Sequence, residues 1–130
     1  MVEKIIEGKP VKAISKELKI PLSTVYYKVK KLKEKGILKR VFKIDWKKLG
    51  FEIEAYILIT TEGATLKRQR EILKSIEGML GFRYLDGRTV TGEADIIIHV
   101  VSKNMKELRE ILEKIKKIEK VKKTETLLVI

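Results

Sequence analysis

Between residues 21 and 35 the chain sets hydroxyls, a phenol and lysines against an apolar stripe. Leu22, Val25, Val29 and Leu32 recur at spacings of three, four and three, which puts them on one face of a helix. Ser23, Thr24, Tyr27, Lys28 and Lys31 then point the other way. Such a helix packs on its own domain through the stripe and presents donors, acceptors and positive charge outward. That is the chemistry required to enter a groove of duplex DNA. Tyr26, Lys39 and Arg40 flank the face and can meet the phosphate backbone. A solvated basic face on an ordinary amphipathic helix has the same pattern, so the choice turns on the surrounding chain. The helix contains no arginine. It lacks the guanidinium fork that most often reads guanine, and lysine acts as a point charge. Base reading would rest on the hydroxyls, on Tyr27 and on DNA shape, with modest specificity.

A second stretch with chemical potential is RTVTGEAD, residues 88–95, where a glycine turn precedes an apolar strand; a plain hairpin has the same signature. The single histidine, His99, lies inside that strand, which favours a packed or interfacial role over a catalytic one. Cysteine is absent, so disulfides, thiol nucleophiles and thiolate metal sites are excluded together. Aspartate occurs only at positions 45, 86 and 95. This inventory argues against most hydrolytic and metal-dependent mechanisms. The expectation is a protein that is not an enzyme and holds no resident cofactor or metal, with carboxylate or lysine chemistry the only catalytic options left.

The net charge of +12 is unevenly placed. Residues 1–50 hold 15 lysines and arginines against 5 acids, a net +10, whereas residues 51–130 hold 15 against 13, a net +2. A basic half joined to a balanced half points to a polyanion-binding module, residues 1–50, with a partner domain, residues 51–130. The apolar fraction of 44% is that of a folded protein, and the longest apolar runs, IIIHVV and LLVI, fall far short of a membrane span. The opening MVEKIIEGK has no apolar core of the kind a signal peptide needs. A cytoplasmic protein without a membrane partner is expected. Abundant lysine, glutamate and isoleucine hint at a thermophile source.

These residues must be positioned by particular elements. Residues 2–7 read as a short helical turn, broken by Gly8 and Pro10. A helix to residue 18 carries Val11, Ile14 and Leu18 on one face; residues 19–21 form the turn, and the lysine-rich helix runs from Pro21 to Lys35, ended by Gly36. Residues 37–46 alternate like a strand, as a basic wing beside DNA or as a plain link. Beyond them the pattern is strand 52–61, helix 65–77 stopped by Gly78, strand 79–86 with a turn at Asp86-Gly87, strand 94–101, a helix to residue 117 capped by Asn104, and strand 124–130. Leu66, Ile72, Leu73 and Ile76 line the first of these helices; Met105, Leu108, Ile111, Leu112, Ile115 and Ile118 line the second. The class is α+β: a helix-turn-helix, winged-helix-like, followed by a βαββαβ ferredoxin-like domain. Two helices cover one face of four strands, yet residues 96–101 and 127–130 are apolar on both faces. A second copy covering the bare face, in a two-fold homodimer, removes that exposure; the linker lying over part of it is the alternative. Trp46 and Phe42 are expected to pack between the two halves.

Ile14, Leu18, Ile20, Thr24-Val25, Val29, Leu32, Gly36-Ile37 and Leu49-Gly50-Phe51 resemble the helix-turn-helix and linker of the Lrp/AsnC (feast/famine) transcriptional regulators. The chain departs from that pattern at Ser15, where the family prefers alanine, at Lys19 in place of a turn glycine, and at Pro21 in place of a capping serine. The resemblance implies a DNA-binding regulator whose βαββαβ domain dimerises, assembles further into tetramers or octamers, and binds an amino-acid effector at subunit contacts. It also assigns Gly92 and Asp95 to that effector: backbone N–H groups beside Gly92 for the carboxylate, Asp95 for the ammonium, with Ala94 where the family often has an aromatic. Siroheme decarboxylases are similar in architecture but call for additional histidines and arginines around a tetrapyrrole, against one histidine here. A non-specific architectural DNA-binding protein is the other alternative, and it predicts no preferred site.

Overall fold

α1 (Val2–Ile6) gives way at Gly8, whose φ of +79° suits glycine, and prolines set the start of the next two helices. Pro10 and Pro21 hold extended angles just ahead of α2 (Val11–Leu18) and α3 (Leu22–Glu34), so the third helix begins one residue later than expected. The computed structural model describes residues 1–39 and 41–130 and separates into two units, Met1–Lys43 and Ile44–Ile130. In the first unit Ile14 and Val25 are the fully buried apolar side chains among the described residues. The turn joining α2 to α3 explains two of the unusual residues. Lys19 adopts φ 53°, ψ 43°, a left-handed conformation that costs a non-glycine residue about 1 kcal/mol. Ser15 offsets this: its carbonyl accepts from Lys19 and Ile20 N–H, and its hydroxyl donates to the Ile20 carbonyl at 2.6 Å.

The strand expected at residues 37–46, and the wing with it, does not form among the described residues of that stretch. Alternation marks a strand only if a neighbouring strand takes the backbone hydrogen bonds, and none lies beside it. Ile37, Val41 and Phe42 are exposed. Trp46 instead packs within the second unit, ahead of a 3₁₀ turn (Lys47–Leu49) closed by Gly50.

That unit comprises β1 (Ile53–Thr61), α4 (Leu66–Leu80), β2 (Tyr84–Thr89), β3 (Ile96–Ser102), α5 (Met105–Lys116) and β4 (Val121–Leu128). The strands form one antiparallel sheet in the order β2-β3-β1-β4, the expected βαββαβ topology. Ala55, Ile57 and Ile59 alternate with Glu54, Tyr56 and Leu58 along β1. The first set joins Ile96, Ile98 and Val100 beneath Ile72, Ile76 and Leu80 of α4 and Leu108, Ile111 and Ile115 of α5. The second set faces away from the helices. Thr65 and Asn104 cap the two helices, accepting from the Arg68 and Glu107 N–H groups.

Several boundaries differ from expectation: β4 starts at Val121 and ends at Leu128 rather than spanning 124–130, and β3 starts at Ile96 rather than at residue 94. Gly78 does not stop α4; burial of Leu80 carries the helix past it to Gly81, whose φ of +58° ends it. The next strand therefore begins at Tyr84 rather than at residue 79. Asp86 and Gly87 lie inside that strand, not in a turn. Gly87 serves close approach: a Cβ there would come within 2.1 Å of the Tyr84 hydroxyl oxygen and 2.8 Å of Leu73 Cδ1. Gly87→Ala should destabilise the protein by about 1–3 kcal/mol, seen as a lower urea midpoint. An unchanged midpoint would show that Tyr84 swings clear.

Candidate functional site

On α3, Ser23, Tyr26, Tyr27, Lys28 and Lys31 are exposed, while Val25 is buried; Ser23, Tyr27 and Lys31 lie opposite it and Lys28 beside the stripe. Thr24 is half-buried at the edge of this face. Lys31 Nζ lies 5.4 Å from the centre of the Tyr27 ring and 3.9 Å from Glu34, which joins the two residues into one polar surface. Lys39 is exposed; Arg40 lies outside the described residues. Lys30 also belongs to the face and was missed. It is exposed seven residues after Ser23, two helical turns along, and that spacing alone could have found it.

Pro21 supplies no side-chain cap, so the N–H groups of Leu22 and Ser23, which have no partner within the helix, stay open to an acceptor such as phosphate. The acids of this unit mostly lie elsewhere. Glu17 on α2 binds Lys4 at 2.9 Å and Lys9 at 2.7 Å, and hydrogen bonds from Lys9 and then Lys4 hold its carboxyl below the usual range. Of the four acids in residues 1–43, only Glu34 sits on α3. With 13 lysines and arginines in the same segment, the unit has a net charge of +9.

The hairpin between β2 and β3 is pinned at its base. Val90 N–H donates to the Asp95 carbonyl, and Asp95 N–H donates to the Ile59 carbonyl. Asp95 Oδ2 accepts from Thr61 N–H at 2.7 Å and from the Thr61 hydroxyl at 2.8 Å. Gln69 on α4 donates to the same hydroxyl oxygen at 3.3 Å, and the Thr60 hydroxyl donates to the Glu93 carbonyl. Asp95 thus anchors the hairpin to β1 with one oxygen. Gly92 takes φ +127°, a conformation that favours glycine, with open space around it. A cavity of about 580 Å³ lies alongside, lined by Leu66, Arg70, Thr89, Val90 and Thr91. Arg70 was not anticipated, since only the fold brings α4 against this hairpin.

On the open face of the sheet, Tyr56 stacks on His99 with ring centres 4.3 Å apart and planes 7° from parallel. His99 Nε2 is buried without a hydrogen-bond partner, 3.5 Å from the nearer Glu54 carboxylate oxygen. Leu127 stands opposite Tyr56 in the strand register and is 47% exposed. At the edge of the unit, Arg83 pairs with Glu107, holding that carboxyl below its usual range, and lies over Phe82 and Phe51. Among the described residues no cluster of three histidines or acids could hold a metal ion, and no helix is long and apolar enough to cross a membrane.

Comparison with known proteins matches residues 54–130 to the Lrp/AsnC ligand binding domain. An uncharacterized HTH-type transcriptional regulator of Pyrococcus furiosus is 34% identical over 98 residues, 75% of this chain and 64% of that protein. The chain thus spans a little under two thirds of the length of that relative. The structure of E. coli AsnC superimposes with a TM-score of 0.76 at 25% identity, covering 92% of this chain and 78% of that one. A feast or famine regulatory protein from M. tuberculosis, complexed with L-methionine, shares the fold with a TM-score of 0.79 at 17% identity, covering 98% and 84%.

Proposed function

Because this chain belongs to the Lrp/AsnC family, we propose that it is a transcriptional regulator that binds duplex DNA through α3, dimerises through the open face of its sheet, and takes a small effector beside the Gly92 hairpin. The observation that carries the reading is the α3 surface: Ser23, Tyr27, Lys28 and Lys31 exposed together on a unit of net charge +9. Lys28 and Lys31 meet phosphates, with Lys39 and Tyr26 beside them, while Ser23, Thr24 and Tyr27 reach base edges. Regulation rather than catalysis is the role, and the cytoplasm is where its DNA partner lies.

Dimerisation follows from the bare sheet face. Tyr56, Leu58, Ile97 and Leu127 form an apolar surface on the side that neither helix covers, and a second copy related by a two-fold axis buries it. Such a dimer presents two α3 helices to half-sites about one helical turn apart. An effector held by the second unit acts by favouring whichever assembly binds it better. An amino acid is the first class to try, since one of the fold neighbours was solved with L-methionine.

The test is enrichment of random duplex fragments by the purified protein at near-physiological salt with excess competitor DNA. The expected result is a pseudo-palindromic motif. Weak binding alone would prove little, because a chain of charge +12 attracts any duplex. Recovery without a motif would make it a non-specific coating protein, and no binding at all would overturn the assignment of α3.

A further inference from the structure

The open face of the sheet carries the chain's single imidazole, a group that changes charge near neutral pH. His99 sits midway along β3, with Tyr56 of β1 stacked on it and Asp86 of β2 opposite it in the register. Its Nε2 is already out of water within one chain and lies 3.5 Å from the Glu54 carboxylate. Arg88, two residues along β2, lies 3.5 Å from Asp86. β4 brings Glu125 opposite Leu58 and, farther along, Lys123 opposite Thr60. Tyr56, Leu58, Ile97 and Leu127 fill the middle of the face.

A copy laid over this face by a two-fold axis brings the same groups a second time, because such an interface is isologous. It also strips the half-buried Glu54 and His99 side chains of the water they keep. With the imidazole neutral, Glu54 enters the contact as an anion and loses hydration. With the imidazole protonated, the two make a charge-assisted pair, and the cation lies against the Tyr56 ring. Burial therefore favours the protonated form, and association draws protons from solvent. We infer that acid strengthens dimerisation through the sheet, with His99 the proton-binding group and Glu54 its counter-ion. The inference rests on the dimer reading above and names a regulation of that contact. Since a dimer offers two α3 helices, acid should tighten binding to a duplex with two half-sites more than to one with a single half-site.

Sedimentation equilibrium of the full chain from about pH 8 to about pH 5.5 spans the range in which imidazole changes charge. The dimer dissociation constant should be at least about tenfold lower at the acid end. His99→Gln and Glu54→Gln should each flatten the dependence to within about threefold. Dissociation heats in buffers of different ionisation enthalpy should show protons released as the wild-type dimer comes apart at intermediate pH. Should His99→Gln fail to fold, Glu54→Gln and the proton count still decide. A dissociation constant that is flat or rises with acid would overturn the inference while leaving the dimer standing. A pH dependence that survives both substitutions would overturn it as well. A chain that stays monomeric at every pH would remove the dimer reading and the inference together.

Discussion

Ile14→Ala should unfold the helical unit, lower DNA affinity more than a hundredfold, and leave the sheet unit intact. Truncating a fully buried isoleucine costs about 2–5 kcal/mol, because the lost transfer energy is joined by the cavity left behind. Ile14 is 1% exposed, and with Val25 it makes up the fully buried apolar core of residues 1–43 among the described residues. A core this small supplies only about 3–5 kcal/mol in total, so the loss is comparable to everything that holds the unit together. The Lys19 turn withdraws a further part through its left-handed backbone. The sheet unit has its own core of twelve buried residues, which holds it independently. Methyl NMR would show the outcome directly: resonances from Val11, Val25 and Val29 collapse toward unfolded positions while those of Ile57, Ile98 and Ile115 stay put. Full DNA affinity in this variant would mean that the helices fold on the duplex without their core.

The second large effect belongs to Lys28 and Lys31. If both neutralise phosphates, Lys28→Ala with Lys31→Ala should flatten the plot of log affinity against log salt by about 1.8, and near 0.1 M salt affinity should fall about tenfold to a hundredfold. Neither residue is buried, and the Lys31 contacts to the Tyr27 ring and to Glu34 are exposed and worth little, so the fold should survive. The recovered motif should not change, because phosphate contacts fix register without reading sequence. Tyr27→Phe should do the converse, altering base preference with the salt slope unmoved. Titrations across a salt series with matched and scrambled duplexes separate the two. An unchanged slope in the double variant would move the phosphate contacts off α3.

Local signals served this chain well wherever one residue type decides the backbone. Pro10, Pro21 and the three-four-three spacing placed the helix pair to within a residue, and Asn104 capped α5 where its side chain predicts. Signals that depend on a neighbour failed. The alternation of residues 37–46 is a strand pattern without a strand to pair with. The end of β2 was placed too early because Asp86 and Gly87 read as a turn, whereas the Tyr84 ring that makes Gly87 necessary is recognisable only once folded. Gly78 looked like a helix stop because its own propensity is poor, but burial of Leu80 beyond it outweighs about 1 kcal/mol of propensity.

The sites divide in the same way. The α3 face was legible from helical spacing, apart from Lys30 and the half-burial of Thr24. The hairpin was legible as a turn at Gly92, but the engagement of Asp95 with Thr61, 34 residues away, was not. Nor was Arg70, whose place beside Val90 depends on how α4 lies across the sheet.

Trp46 is the chain's single tryptophan, edge-on to Phe51 at 5.7 Å and stacked on Phe82 at 6.2 Å, all within residues 44–130. Its indole emission therefore reports on the packing of the sheet unit. Heating while watching that emission follows the loss of that packing. If the two units melt at different temperatures, that emission reports the sheet unit's midpoint, and no label has to be attached to read it.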